Sequence, residues 1–324
     1  MALTFNENTA HAVNAFWPVA VDNVYKKHLF WARLSRPGFK MTKTGNKCQV
    51  TIINTDAGAG GAYDKNETLT QTPTDETTSA VFEWKRFYVP MKISHPDLSE
   101  LGPGPTQMVD FIKTKMKIME LRMRKILTLS AFSDGTGATG LLTTKQWPGI
   151  LALLDTNHAT TNYGGFNSGD VSTWKPSISS NSGTNRTPTL TRLETVYRDC
   201  SDGDEQPTLL VVRSGGFSQI WNQYQPFQRV ASDAASAKLG FPNTPVFNKA
   251  AMIVDDNAPA NKVVMLNEEY YRLAILKGNE FRRVRISNLE DTDAMLERLH
   301  YSGAIVATRR ERHGLFADSS ESSL

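Results

Sequence analysis

The sequence predicts an α+β fold, with helices and strands in separate runs rather than in regular alternation. Three observations carry that prediction. The stretch Pro105 to Phe132 has no Gly and no Pro after its first residue, and at 1.5 Å per residue it would form a helix about 40 Å long. Residues 46–55 and 77–94 are β-branched, aromatic and alternating, and strand patterns return after residue 262. A helix–strand–helix succession over 189–224 is the one α/β-like passage, and it suggests a compact lobe over about 140–260.

Composition bounds the rest. The chain has 324 residues, 40% hydrophobic and 21% charged, enough for a sizeable core and two or three lobes. It has no long apolar run for a membrane span. The start MALTFNENTAHAVNAFWP lacks the regions of a signal peptide. A formal net charge of +3 is too mild for a dedicated nucleic-acid binder, yet it allows a mildly basic face beside a polyanion. Cys48 and Cys200 stand far apart and are expected as reduced, structural thiols.

Taken in order, residues 1–40 do not read as a compact unit. They carry Phe16, Trp17, Phe30 and Trp31, and one short helix fits Ala20–Leu34. Left bare on a monomer these rings would expose costly apolar surface. The arm therefore packs back on its own core or lies on a neighbouring subunit. Next, 46–55 and 77–94 read as a hairpin around a polar tip of about 20 residues, long for a loop inside a compact domain. It reads as an arm reaching away from the body. An isolated ribbon is marginal in water, so this one is expected to gain stability from whatever it lies on.

Pro105 suits the first turn of the long helix, where its missing N–H costs little. Met108, Ile112, Met116, Met119, Met123 and Ile126 form one apolar stripe at spacings of three and four. Core is the favoured reading of that stripe, and an adaptable protein-binding groove the alternative. Asp110, Lys113, Lys117, Glu120 and Arg124 share another side, and Phe111, Ile118 and Leu129 a second, weaker apolar strip. The helix is thus expected to touch structure on more than one side, and SDGTGATG stops it. Beyond it come a Gly/Ser/Thr/Asn-rich stretch, a helix over 189–202, a buried strand over 207–214 and a short helix in GGFSQIWNQY. The final third is strand-rich, and the tail ADSSESSL is expected to be disordered.

Chemistry is thin. GAGGAYD at 58–64 lacks the strand–loop–helix setting of a nucleotide loop. His11, His28, His95, His158, His300 and His313 show no metal-binding spacing and read as surface or structural residues. Ser214 follows a buried strand and precedes a helix, the topology of a hydrolase nucleophile, but no G-x-S-x-G elbow surrounds it. A helix-capping serine is the competing reading. The neighbouring pairs Asp255–Asp256 and Glu268–Glu269 point to opposite faces of a strand or sit in turns, rather than sharing a proton.

The order of parts resembles the major capsid proteins of tailed bacteriophages, the family with the HK97-like fold. The resemblance covers nearly the whole chain: N-arm 1–40, E-loop hairpin 41–94, P-domain with spine helix 95–139, A-domain 140–260, returning P-domain strands 261–316 and flexible tail 317–324. It implies a non-enzymatic subunit with no catalytic residue, cofactor or metal. Such subunits self-assemble into hexamers and pentamers of an icosahedral shell around double-stranded DNA. The implied partners are other copies of the chain, portal, scaffolding and decoration proteins, and non-specifically held DNA, with no membrane. The implied location is the virion, assembled in the host cytoplasm. No long charged leader is present, so a separate scaffolding protein is expected. Arg33, Arg36, Lys40, Lys113, Lys117 and Arg124 become candidates for the DNA-facing inner surface or for intersubunit pairs. Tyr63, Lys65, Trp84 and Phe87 become intersubunit E-loop candidates, and Phe16, Trp17, Phe30 and Trp31 N-arm candidates. Some family members crosslink through an E-loop lysine; Lys65 is the residue so placed, and nothing identifies a partner for it. The alternatives are an encapsulin-type compartment shell and an intracellular serine hydrolase using Ser214.

Overall fold

The computed structural model describes residues 28–54, 61–68, 76–94, 96, 105–137, 144–224, 246–286 and 294–321. The early part of the arm, with Phe16 and Trp17, lies outside them, as do 55–60 and 69–75 of the hairpin tip. The elements are α1 (Leu29–Leu34), β1 (Lys40–Lys43), β2 (Lys47–Ile53), β3 (Thr77–Glu83), β4 (Lys85–Ser94), α2 (Pro105–Phe132), α3 (Ile150–Leu153), β5 (Ser177–Ser179), α4 (Leu190–Asp199), β6 (Leu209–Val212), α5 (Ser214–Tyr224), β7 (Val246–Phe247), β8 (Ala250–Val254), β9 (Val263–Leu266), β10 (Tyr271–Leu276), β11 (Arg282–Ile286), β12 (Ala294–Ala307) and β13 (Gly314–Phe316).

Two sheets organise these elements. In the five-stranded sheet β1 runs parallel to β10, β10 and β11 run antiparallel to β12, and β4 pairs with β12 over its whole length. In the six-stranded sheet the order is β5-β13-β9-β6-β8-β7. A separate ribbon, β2–β3, makes the hairpin.

The central strands of the six-stranded sheet are buried on both faces. Every residue of β6 and β9 is buried, as expected of short continuous apolar strands. Leu210, Val212, Val263, Met265 and Phe316 meet Leu193, Val196 and Tyr197 of α4 and Ile220 of α5. Leu209, Val211, Val264, Leu266 and Leu315 turn the other way into the main core. Thr189 caps α4, its side chain accepting the Arg192 N–H. Both cysteines are free and buried, as expected, and burial pushes the Cys200 thiol up to about 12.

The long helix stands where the 3.6-residue period put it. Met119 and Met123 are buried, and Ile112, Met116 and Ile126 pack at the margin of the same core. The stripe is core against the five-stranded sheet, facing Phe87, Val89, Met91 and Ile93 of β4. Met108 lies outside the residues whose side chains are described. In the last turns Leu127, Thr128, Ser130, Ala131 and Phe132 are all buried, so this end is enclosed on several sides. Gly149 is the residue that permits the enclosure: a Cβ there would stand 2.3 Å from the Ala131 carbonyl oxygen.

Four expectations need correction. The run 77–94 is two strands: after Trp84 the chain leaves β2 and pairs with β12. The hairpin is therefore Lys47–Glu83, and its flanks β1 and β4 belong to the five-stranded sheet. Nor does it stand clear of the body. Ala80, Phe82 and Cys48 are buried, Phe82 packs edge-on to Tyr163, and the Val81 N–H donates to the Gly164 carbonyl at 2.8 Å. Gly164 has a φ of +72°, a left-handed turn that suits glycine. Third, the 262–316 strands do not all return to one sheet: β9 and β13 lie within the six-stranded one. The cause is a crossing at 308–313, after which β13 slots between β5 and β9. Fourth, the tail is docked as far as Glu321. Asp318 accepts the Asn181 N–H at 2.7 Å, and Glu321 accepts the Asn261 N–H at 2.6 Å. Residues 322–324 lie outside the described ones.

Candidate assembly surface

Of the expected arm, the described residues begin at His28. Phe30 and Trp31 are 1% and 5% exposed within the single chain. Phe30 lies 4.7 Å from the Phe132 ring, and Trp31 stacks on Trp147 at 6.2 Å. Of the two readings open for these rings, the chain's own core is the one found, because α1 wedges between the end of α2 and the six-stranded sheet. The Phe30 N–H donates to Asp255 Oδ2 at 3.2 Å, so Asp255 anchors the arm and shapes the turn after β8. Phe87, 8% exposed, is likewise internal and meets Trp147 edge-on at 4.7 Å. Trp147 in turn donates from Nε1 to the Gly303 carbonyl at 2.8 Å.

Trp84 is half-buried and donates from Nε1 to the Gly45 carbonyl at 2.9 Å, pinning the base of the hairpin. The described part of the tip, 61–68, is exposed throughout, with Tyr63 at 69%. Lys65 is exposed there too.

Arg33 and Lys40 have counter-charges within the chain. Arg33 forks onto Glu268 at 2.5 and 2.8 Å; that hydrogen bond, against the cost of burial, raises its pKa. Lys40 sits 2.5 Å from Glu280. Both charges are already answered within the chain, which leaves little for a phosphate. Arg36 is exposed. On α2, Lys113, Lys117 and Arg124 are exposed on the side away from the sheet, next to the 43% exposed Ile118. Glu120 instead reaches the sheet, pairing with Arg283 of β11 at 2.8 Å, and ties helix to sheet.

A further basic surface escaped the sequence reading. Strand register sets Tyr88, His300 and Arg282 in one row, Pro90, Arg298 and Val284 in the next, and Lys92 with Leu296 in a third, with Arg86 beside Ser302. Directly paired residues share a face, and this is the face turned away from α2. Arg86, Tyr88, Lys92 and Arg282 are exposed there, and Arg298 and His300 half-exposed. The signal was present as period-two polarity in KRFYVPMKIS, but reading it as one surface needs the β11–β12–β4 register.

Buried polar groups elsewhere are structural. Arg310 is fully buried at the crossing between the sheets. It donates to the Leu153 and Ala152 carbonyls at 2.7 and 3.2 Å and lies over the Tyr163 ring; burial lowers its pKa to about 10. His313 accepts the Asn267 N–H on Nδ1 at 3.2 Å, and burial pushes it down to about 3. Ser214 opens α5 and its carbonyl accepts from Ser218 Oγ at 3.1 Å. Of the other described histidines, His158 bonds Ser168 and His28 bonds Asn257. No described group of three or more His, Cys, Asp or Glu could hold a metal ion, and no described helix is long and apolar enough to cross a membrane.

A chain of the cyanophage A-1(L) capsid superposes with a TM-score of 0.74 at 13% identity, covering 95% of this chain and 97% of that one. A chain from Mycobacterium phage Bobi superposes at 0.58 and 12% identity, covering 99% and 100%. The SrpI encapsulin of Synechococcus elongatus superposes at 0.62 and 8% identity, covering 100% and 99%. At these identities the likeness is one of fold. No curated protein matches in sequence. A family model described as SU10 major capsid protein matches residues 103–315, from α2 to β13. The chain therefore belongs to the SU10 major capsid protein family and has the HK97-like fold of tailed-bacteriophage capsids.

Proposed function

We propose that this chain is the coat subunit of an icosahedral virion shell, arranged as hexamers and pentamers around packaged double-stranded DNA. The observation that carries this is the unfinished surface of the subunit. The hairpin is anchored at its base but bare at 61–68, and one face of the five-stranded sheet is uncovered. Repeated contact between two different patches closes rings, as hexamers and pentamers require. In this reading the five-stranded sheet with α2 is the P-domain, the six-stranded sheet with α4 and α5 the A-domain, and β2–β3 the E-loop. The exposed side of α2, with Lys113, Lys117 and Arg124, faces the DNA, and contact is electrostatic and sequence-independent. The role is structural rather than catalytic. Portal, scaffolding and decoration proteins are its further partners, and assembly takes place in the host cytoplasm.

Negative-stain microscopy of the purified chain tests this. Shells, capsomers or sheets are expected; a monodisperse monomer or dimer labelled at Ser214 by a serine-hydrolase probe would contradict it. The SrpI likeness supports a second reading, a compartment shell of the encapsulin type. Particles isolated from cells distinguish the two: DNA inside supports the virion shell, and protein cargo without DNA the compartment.

A further inference from the structure

We propose that the crossing between the two sheets is a binding site for a small monovalent anion of the chloride type, built from Arg310, Tyr163 and Tyr271. Two connections between the sheets run through this place. Residues 267–270 link β9 to β10, and 308–313 link β12 to β13.

The fold gathers the side chains there. The Arg310 guanidinium lies over the Tyr163 ring, 5.4 Å from its centre. Three residues on, the His313 N–H donates to the Arg310 carbonyl at 3.3 Å, and the His313 ring meets the Tyr271 ring edge-on at 6.0 Å. Tyr163 is near enough to Tyr271 for its charge to raise the Tyr271 pKa, and near enough to Arg310 for that cation to oppose the effect of burial on its own. All four side chains are at most 3% exposed.

Each of the four keeps a buried polar atom that meets no hydrogen-bond partner among the described residues: Arg310 Nη1, the Tyr163 and Tyr271 hydroxyls, and His313 Nε2. Buried polar atoms are nearly always paired, so four at one place call for a common partner. Their chemistry says which. Arg310 Nη1 can only donate, and the other edge of the guanidinium is occupied by the Leu153 and Ala152 carbonyls. His313 receives the Asn267 N–H on Nδ1, so the neutral ring carries its proton on Nε2. The Tyr270 carbonyl, which also approaches this ring, is taken by the Thr308 N–H at 2.9 Å. Both phenols can donate as well.

No carboxylate answers the charge. Arg310 forms no ion pair among the described residues, and Asp155 acts on it only from a longer range. The set is therefore one buried positive charge with hydrogen-bond donors around it. A metal cation is repelled by such a set. A water would bring two hydrogens of its own, for which the phenol oxygens are the acceptors at hand. A single negative charge accepts from the donors together and cancels the guanidinium. Phosphate and sulfate carry more charge than one guanidinium balances, and the surplus would be buried at a cost. An anion held here would join the turn before β13 and the start of β10 to Tyr163, whose neighbour Gly164 receives the Val81 N–H of the hairpin. It would act as a clamp between the two sheets rather than as a reactive centre.

Thermal unfolding of the full-length chain tests this, with sodium chloride exchanged for sodium gluconate at constant ionic strength. Constant ionic strength removes ordinary screening from the comparison. A ligand bound only by the folded chain raises the unfolding midpoint, by about 2–4 °C as chloride goes from about 2 to about 200 mM. Bromide should replace chloride. Tyr163→Phe with Tyr271→Phe, which keeps both rings, should remove most of the halide dependence, and the gentler Tyr271→Phe alone should lessen it. In crystals of the full-length chain soaked in bromide, an anomalous peak should stand within hydrogen-bond reach of Arg310 Nη1. Equal midpoints in chloride and gluconate would overturn the proposal. So would phenylalanine variants that keep the full halide dependence, or a bromide peak only at other places.

Discussion

The two sheets of this subunit differ in how completely one chain finishes them. The six-stranded sheet is covered on both faces by the chain's own apolar side chains, and β6 and β9 expose nothing. Among the described residues, the five-stranded sheet is covered by α2 on one face only; its other face alternates cations with apolar residues along β4 and β12. The contrast assigns different jobs. The first sheet is finished by the chain's own side chains, whereas the second leaves Arg86, Tyr88 and Lys92 exposed, and we read that face as one that another molecule completes.

The largest effect should come from the crossing that joins the two. Arg310→Ala would leave the Leu153 and Ala152 carbonyls without their donor and open a void under Tyr163. A loss of about 3–5 kcal/mol in denaturant unfolding is expected. A loss under about 1 kcal/mol would show the two bodies to be held together elsewhere.

Next comes pH. His313 is held at about 3 when folded against 6.5 for the free group. The unfolded chain therefore takes up this proton first. The stabilising contribution of the neutral ring is complete above about 6.5 and is lost as pH falls toward about 3. Thermal unfolding should weaken progressively over that window. His313→Gln, which can still accept from Asn267, should flatten the dependence; an unchanged slope would assign it to carboxylates.

Gly149→Ala should cost about 1–3 kcal/mol, because the new methyl meets the Ala131 carbonyl. A neutral result would show the α2–α3 corner able to yield. Smallest of all, Arg86→Ala and Arg298→Ala should change monomer stability by no more than about 0.5 kcal/mol, even though they alter assembly. A larger loss would mean that this face already serves the fold.

Locally encoded features were legible in the sequence. The Met119–Met123 stripe announced α2 and its buried side, the LLVV run announced β6, and Thr189 before LTRLETV announced the start of α4. What escaped depends on partners far away in sequence. Nothing between Phe82 and Phe87 states that β3 joins β2 while β4 joins a strand some two hundred residues later. A polar tail reads as free until Asp318 meets Asn181 and Gly183. Aromatic residues read equally well as interface or core, and only the site opposite decided for Phe30, Trp31 and Phe87. The basic sheet face was missed for the same reason: Lys92, Arg298 and Arg282 come from three strands, and register alone makes them one surface.

Hydrogen exchange of the full chain, measured before and after assembly, tests the contrast between the sheets most directly. Peptides covering β6 and β9 should be protected already in the free subunit and change little. Those covering 61–68, β4 and β11 should slow markedly once particles form. Slowing confined to the six-stranded sheet, or none at the tip and the bare face, would contradict the account.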